Sequence, residues 1–323
     1  MKIAGFVLLL FSFVNAAAQT QSTPKPQPTP NPREEMQRRQ DAERARRTTA
    51  DSFRNLKNLS DRANRGREVP RAVANDIQAL YRDPTKKELR LLRPLNVDLT
   101  KYAEFLRQRK TGIVRLVEDA GCGDGIKVIA ASGPCLEYPM PGNGSSYSFR
   151  EANYRLARLS DIKFVNGNLV VTGILQHGIL TGIGDVELDG VTINTEGLEY
   201  LKNFQPAKDL AQAIEIGREL GAEQKRDGHQ YSPALRAAAG MTYALRSVAY
   251  RGNVYRAING YVYDELDFDE RSDIIVAFRI VRMHGDGSIT ILWKELSAKE
   301  SPKLKRERNE PSNVEKNRMV AKD

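Results

Sequence analysis

Cys122 and Cys135 are the two cysteines of the chain, thirteen positions apart in a glycine-rich stretch. A thiol becomes a nucleophile beside a base or in a positive field, and no histidine lies near either one in sequence. Their spacing suits a disulfide, which for a loop of this size contributes about 3 kcal/mol in the chain-entropy account. Such a bond belongs to an oxidising compartment. His177, His229 and His284 stand beside glycines or in expected turns and share no ligand spacing, so the reading is of exposed turn histidines and no zinc site. Gly178, Gly182 and Gly184 lack the Gly-Lys-Ser/Thr of a phosphate loop and read as a hairpin region.

Nucleophilic serine motifs fail on context. Gly144-Ser145-Ser146-Tyr147-Ser148 lacks the final glycine of a strand-to-helix elbow. Ser160-Asp161-Ile162-Lys163 matches Ser-x-x-Lys, but a strand there points the two side chains to opposite faces. Asp264, Glu265, Asp267, Asp269, Glu270 and Asp273 put six acids in ten positions. That density could attract a hard cation, yet an EF-hand register fails from either Asp264 or Asp267. A solvated acidic connection with Arg271 as local counter-charge is expected. Tyr243, Tyr250, Tyr255, Tyr261 and Tyr263, interleaved with Arg246, Arg251 and Arg256, concentrate five of twelve tyrosines within 21 positions. Aromatic faces beside guanidinium groups bind sugars or peptides, whereas half-buried sheet tyrosines with snorkelling arginines are the structural alternative. Tyr250, Arg251, Tyr255, Arg256, Tyr261 and Tyr263 are the candidate ligand-binding residues. No catalytic residue, metal or cofactor is assigned.

The elements that must position these residues divide the chain in two. Over residues 53–59, 69–80 and 99–109 apolar side chains recur at helical spacing, the last with Asp98 as expected N-cap. After Gly112 the period shortens to two. Strands are expected at 113–118, 126–131, 146–150, 162–165, 169–175 and 179–181, and longer ones at 241–251, 274–283 and 288–296. Asn166-Gly167 and Asp286-Gly287 mark tight turns, and helices are expected at 195–203 and 205–222. Ile289, Ile291 and Trp293 share one strand face. The connections leave little room for repeated helical crossovers. The fold class is therefore α+β: a helical basic N-terminal region, then a mainly antiparallel β-sheet core with one or two helices.

Lys2, the apolar run 3–14 and Ala16-Ala17-Ala18 have the layout of a secretory signal peptide over residues 1–18. Residues 19–32 form a Pro-rich linker with proline at alternate positions from Pro24 to Pro32. The region 33–110 carries 21 basic and 12 acidic residues, net +9, and its start is a solvated helix or a disordered arm. The core, 111–296, has a net charge of -5, and 297–323 reads as a charged disordered tail with a net of +3.

The resulting expectation is an exported protein, periplasmic or extracellular and associated with the cell envelope, without a transmembrane helix once the signal is removed. A non-enzymatic binding or structural module of a bacterial cell envelope is the leading reading, and a secreted hydrolase whose site assembles only in the fold is the alternative. The basic arm suits an anionic envelope polymer or lipid surface, or the acidic core of the same chain. Nucleic acid is disfavoured by export and by interspersed acids. The pattern does not set the oligomeric state.

Overall fold

The computed structural model describes residues 31–59, 69–122, 133–258 and 260–305. The signal peptide, nearly all of the Pro-rich segment, the strand expected at 126–131 and the tail beyond 305 lie outside the described residues. Among the described residues, no helix is long and apolar enough to cross a membrane.

Helices open the chain: α1 (Pro32–Leu59), α2 (Arg71–Tyr81), α3 (Lys86–Leu91), α4 (Asn96–Lys101) and α5 (Ala103–Leu106). Then follow β1 (Thr111–Leu116), α6 (Gly133–Glu137), β2 (Ser146–Ser148), β3 (Asn153–Tyr154), β4 (Ile162–Val165), β5 (Asn168–Val171) and β6 (Gln176–Gly184). The chain continues with α7 (Glu199–Asn203), α8 (Leu210–Leu220), β7 (Gln224–Arg226), β8 (His229–Ser232) and β9 (Ala234–Arg236). It closes with β10 (Thr242–Ala249), β11 (Tyr255–Ile258), β12 (Tyr261–Asp264), β13 (Ser272–Met283) and β14 (Ile289–Glu300).

Two antiparallel sheets form, in the orders β1-β14-β13-β10-β6-β8-β7 and β3-β2-β4-β5-β9, with β11-β12 as a separate hairpin. This is the expected α+β class. The inner faces meet over a core of Tyr147, Phe149, Phe164, Tyr243, Phe278, Ile291 and Trp293. The opposite face of the larger sheet carries Ile179, Ala244, Val248, Ile275 and Leu292, and the helices cover it. Central strand β10 is thus buried along its whole length, and two-residue alternation there separates two buried environments. Gly178 marks a close approach between sheets, since a Cβ there would lie 2.1 Å from Val171 Cγ1. Asn166 and Gly167, both at positive φ, turn β4 into β5 as the sequence indicates.

Several expectations are corrected. The start of the basic region is neither solvated nor a free arm: α1 lies on the core against α8, β5 and β9, the intramolecular alternative. Phe53 is fully buried in the helix-covered core. Arg38 donates to Glu35 and Glu223 at 2.6 Å and to the Ala234 carbonyl at 3.3 Å. Asp41 accepts from Asn168 Nδ2 at 3.0 Å. A polar stripe, invisible to an apolar count, docks this helix. The expected tail begins inside the sheet: β14 runs to Glu300, Ser301 is buried, and Pro302 accepts from the Arg251 amide.

Asp98 is no N-cap; it sits within α4 and accepts from Arg282 at 2.7 and 2.8 Å. His177 is no turn residue. It lies in β6 and is wholly buried, and of the glycines taken for a hairpin Gly178 and Gly182 are interior to that strand and Gly184 ends it. The Ala213 carbonyl accepts from His177 Nε2 at 2.9 Å, so Nδ1 is the acceptor for the Tyr250 hydroxyl at 2.9 Å, and that oxygen accepts the Ala207 amide. Burial holds His177 down at about 4. Its favourable contribution is complete above about 6.5 and is lost as pH falls through about 4.

If α1 is part of the core, Phe53→Ala will destabilise the protein by about 3–5 kcal/mol in urea unfolding. A loss below about 1 kcal/mol would show that the helix is dispensable.

Candidate functional site

Three segments converge on a cleft of about 530 Å³. The C-terminal end of α2 brings Gln78, Tyr81, Arg82 and Asp83; the β2-β3 hairpin brings Glu151 and, just beyond it, Arg155; the connection from β12 to β13 brings Asp267, Phe268, Asp269 and Glu270. These are loop and helix-end positions held by the two-sheet frame, the usual place for ligand contact.

Beneath the cleft lies a buried row of alternating charge. Asp161 and Arg150 pair at 3.1 Å, Arg150 and Asp269 at 3.6 Å, and Asp269 and Arg271 at 2.5 Å. All four side chains are essentially out of solvent. Asp161 also accepts from the Phe149 amide at 2.7 Å and the Ser247 hydroxyl at 2.5 Å. Arg271 donates to the carbonyls of Ile174, Leu175 and Tyr250 at 2.8, 2.7 and 3.1 Å. A second buried carboxylate, Glu265, accepts from the Tyr81 hydroxyl at 2.7 Å and pairs with Arg158 at 2.9 Å and Arg256 at 3.3 Å. Burial and the Glu265 charge push the Tyr81 phenol far above its ordinary value.

The acidic run is therefore not a solvated connection. Glu265, Asp269 and Asp273 face inward to arginines, Asp273 to Arg246 at 2.8 Å, while Asp267 and Glu270 stay exposed at the cleft rim. Among the described residues, no group of three or more His, Cys, Asp or Glu is placed to hold a metal ion. Arg271 is the local counter-charge expected for Asp269, but inside the protein.

Glu151 and Asp269 make the chemically distinctive pair. Burial pushes the Glu151 carboxyl up to about 7; the Arg155 guanidinium opposes this, and the hydrogen bond and charge of Asp269 push the same way as burial. Asp269 Oδ1 is buried and receives no hydrogen bond from the cationic side chains around it. Above the cleft, Tyr81 and Phe268 stack with ring centroids 4.5 Å apart, and Tyr263 meets both edge-on. Arg82 is engaged by both oxygens of Glu88, at 2.5 and 2.7 Å, and Arg155 by Glu151 and Asp83. The cations lining the cleft are thus neutralised within the chain, and the rim acids set its charge.

The tyrosine and arginine residues singled out from sequence do not form one surface. Tyr243, Tyr250 and Arg246 are buried, with Arg246 donating to the Leu201 carbonyl of α7 at 2.6 Å and to that of Phe204, just past its end, at 2.7 Å. Arg251 is exposed and lies 3.6 Å from Glu300. Tyr255 and Tyr261 are half-buried on the β11-β12 hairpin. Tyr263 and Arg256 join the Glu265 cluster beside the cleft. Cys122 and Cys135 are disulfide-bonded, their Cα atoms 5.7 Å apart. Tyr81, Glu151, Arg155 and Phe268 were missed because they come from segments up to about 190 positions apart and share no motif. Asp269 had shown only as part of an acidic run.

Comparison with protein-family models, curated proteins and solved structures finds no match.

The raised Glu151 has a signed consequence. Between about 4.5 and about 7 the folded chain holds a proton that the unfolded chain has released, so this contribution is complete below about 4.5 and is lost as pH rises through about 7. Glu151→Gln mimics the protonated state. Its unfolding free energy, followed by urea titration, should gain on that of the native sequence as pH rises from 4.5 to 8; a constant difference would mean that Glu151 is ionised throughout. His177 titrates identically in both proteins and cancels.

Proposed function

We propose that the protein is an exported, non-enzymatic binding module of a bacterial cell envelope, and that the cleft takes a cationic group of its ligand, an amine or a guanidinium. The observation that carries this reading is the buried Asp269 carboxylate, whose Oδ1 forms no hydrogen bond and has only a long, 3.6 Å ion pair to Arg150, beneath a rim of Asp267 and Glu270 and beside the stacked Tyr81 and Phe268. A cation gains from carboxylates and an aromatic face together. The cleft then holds one positive charge in either of two forms, the Glu151 proton or the ligand. Export is supported by the leader-like apolar run at 3–14 and by the disulfide.

A secreted hydrolase is the second reading, and the same pair favours it. A carboxyl of raised proton affinity beside an ionised one is the arrangement used to split general-acid and electrostatic roles. In that case Glu151 would be the acid and Asp269 the stabilising charge.

Calorimetric titration with trilysine and triglutamate separates the outcomes. The binding reading expects trilysine alone to bind, more tightly at pH 8 than at pH 6, with an Asp267→Asn, Glu270→Gln double variant weakened at least tenfold, about 1.4 kcal/mol. Equal uptake of both peptides, or none of either, would reject it. Turnover of a glycoside or peptide panel that is abolished by Glu151→Gln would favour the hydrolase.

A further inference from the structure

Short helices α3 and α4 present an unusual surface. Leu89, Leu91, Leu95 and Val97 are 41, 44, 42 and 60% exposed, four large apolar side chains within nine residues. Single exposed leucines are common on soluble proteins, whereas four exposed within so short a stretch point to a contact surface. Lys86, Lys87, Arg90, Arg93 and Lys101 are interleaved with them or flank them along the chain, and all five are exposed. Among the described residues, no carboxylate lies within ion-pair distance of any of the five. This contrasts with α1, where Arg38, Arg39, Arg46 and Arg47 are each paired with a glutamate. Among the described residues of the N-terminal region, most of the cations without an ion pair lie here.

The surface is built to stay in place. Thr85 and Glu88 form a capping box at the start of α3. Glu88 is held by Arg82, Leu92 is buried in the inter-sheet core, and Asp98 is gripped by Arg282 of β13. Buried residues 88, 92 and 98 thus alternate with the exposed apolar and basic ones, and the chain cannot turn the leucines inward without breaking these anchors.

We propose that this face docks on an anionic lipid bilayer, with the four apolar side chains entering the headgroup boundary and the five cations meeting lipid phosphates. Charge complementarity selects this occupant: apolar side chains ringed by unpaired lysine and arginine are the pattern of interfacial membrane contact. Attraction of this kind is screened over about 8 Å at physiological ionic strength, so binding has a salt-sensitive part from the cations and a salt-resistant part from the leucines. The proposal does not depend on the cleft or its ligand.

The test is co-sedimentation with vesicles of phosphatidylcholine alone and of phosphatidylcholine with 30 mol% phosphatidylglycerol, the latter composition being an approximate choice to give a clearly negative surface. Both the full chain and the chain from Gln19 are compared with two variants in the same backgrounds: Leu89→Ser, Leu91→Ser, Leu95→Ser, Val97→Ser, and Lys86→Gln, Lys87→Gln, Arg90→Gln, Arg93→Gln. All these positions are exposed, and circular dichroism with a urea midpoint confirms folding. The chain from Gln19 should bind the anionic vesicles at least tenfold more tightly than the neutral ones, and each variant should lose at least fivefold of that affinity. Equal binding to both vesicle types, or variants that bind like the parent, would overturn the proposal. So would a monomer–dimer equilibrium in sedimentation velocity that the serine variant abolishes, because a second copy would then be the occupant.

Discussion

Everything around the cleft depends on the buried row Asp161, Arg150, Asp269 and Arg271. Charges of this kind lose their hydration on folding, and their mutual attraction offsets that loss only where geometry and further hydrogen bonds are good. Here the outer members meet those terms. Asp161 takes the Phe149 amide and the Ser247 hydroxyl, and Arg271 gives to three carbonyls. The row therefore adds specificity more than net stability: it fixes the β2-β3 hairpin, the chain before β6, central strand β10 and the 265–271 connection at one point. Without it, the two sheets would still have an apolar interface, but the loops that bear Glu151 and Phe268 would have no defined relation to each other.

The sheets explain why such a row can exist. Strand β10 is covered on both sides, by the smaller sheet and by the helices, so a side chain on either face is far from water. Polar groups there must be satisfied within the protein. His177 with Tyr250, and Arg246 with Asp273 and the end of α7, meet the same requirement. Asp269 differs in one respect: it lines the cleft, and its buried Oδ1 forms no hydrogen bond. The binding reading proposed above rests on that difference.

Much of the frame was legible in the sequence because apolar periodicity and turn residues act locally. Asn166-Gly167, Asp286-Gly287 and the Ile289, Ile291, Trp293 face fall where expected, and the cysteine pair is joined. Long-range polar contacts were not legible. The run from Asp264 to Asp273 reads as solvated because its arginine partners at 150, 158, 246 and 256 lie elsewhere in the chain, with only Arg271 nearby. Helix α1 reads as solvated for the same reason: Arg38, Asp41 and Ala42 bury through hydrogen bonds and a small methyl rather than a leucine stripe. Tyrosine spacing misleads where a strand has two buried faces, since Tyr243 and Tyr250 then enter different cores.

A double-mutant cycle on Arg150 and Asp161 tests the central claim most directly. Arg150 is a clean probe because its side-chain hydrogen bond to the Leu159 carbonyl is long, at 3.3 Å. Arg150→Met and Asp161→Asn should each lower the unfolding free energy by about 3–5 kcal/mol, because each leaves an uncompensated buried group. Their combination should lose far less than the sum, with a coupling of about 2 kcal/mol or more. Losses that add to within about 0.5 kcal/mol would show that the two side chains are energetically independent, and the buried row would then not be what organises the cleft.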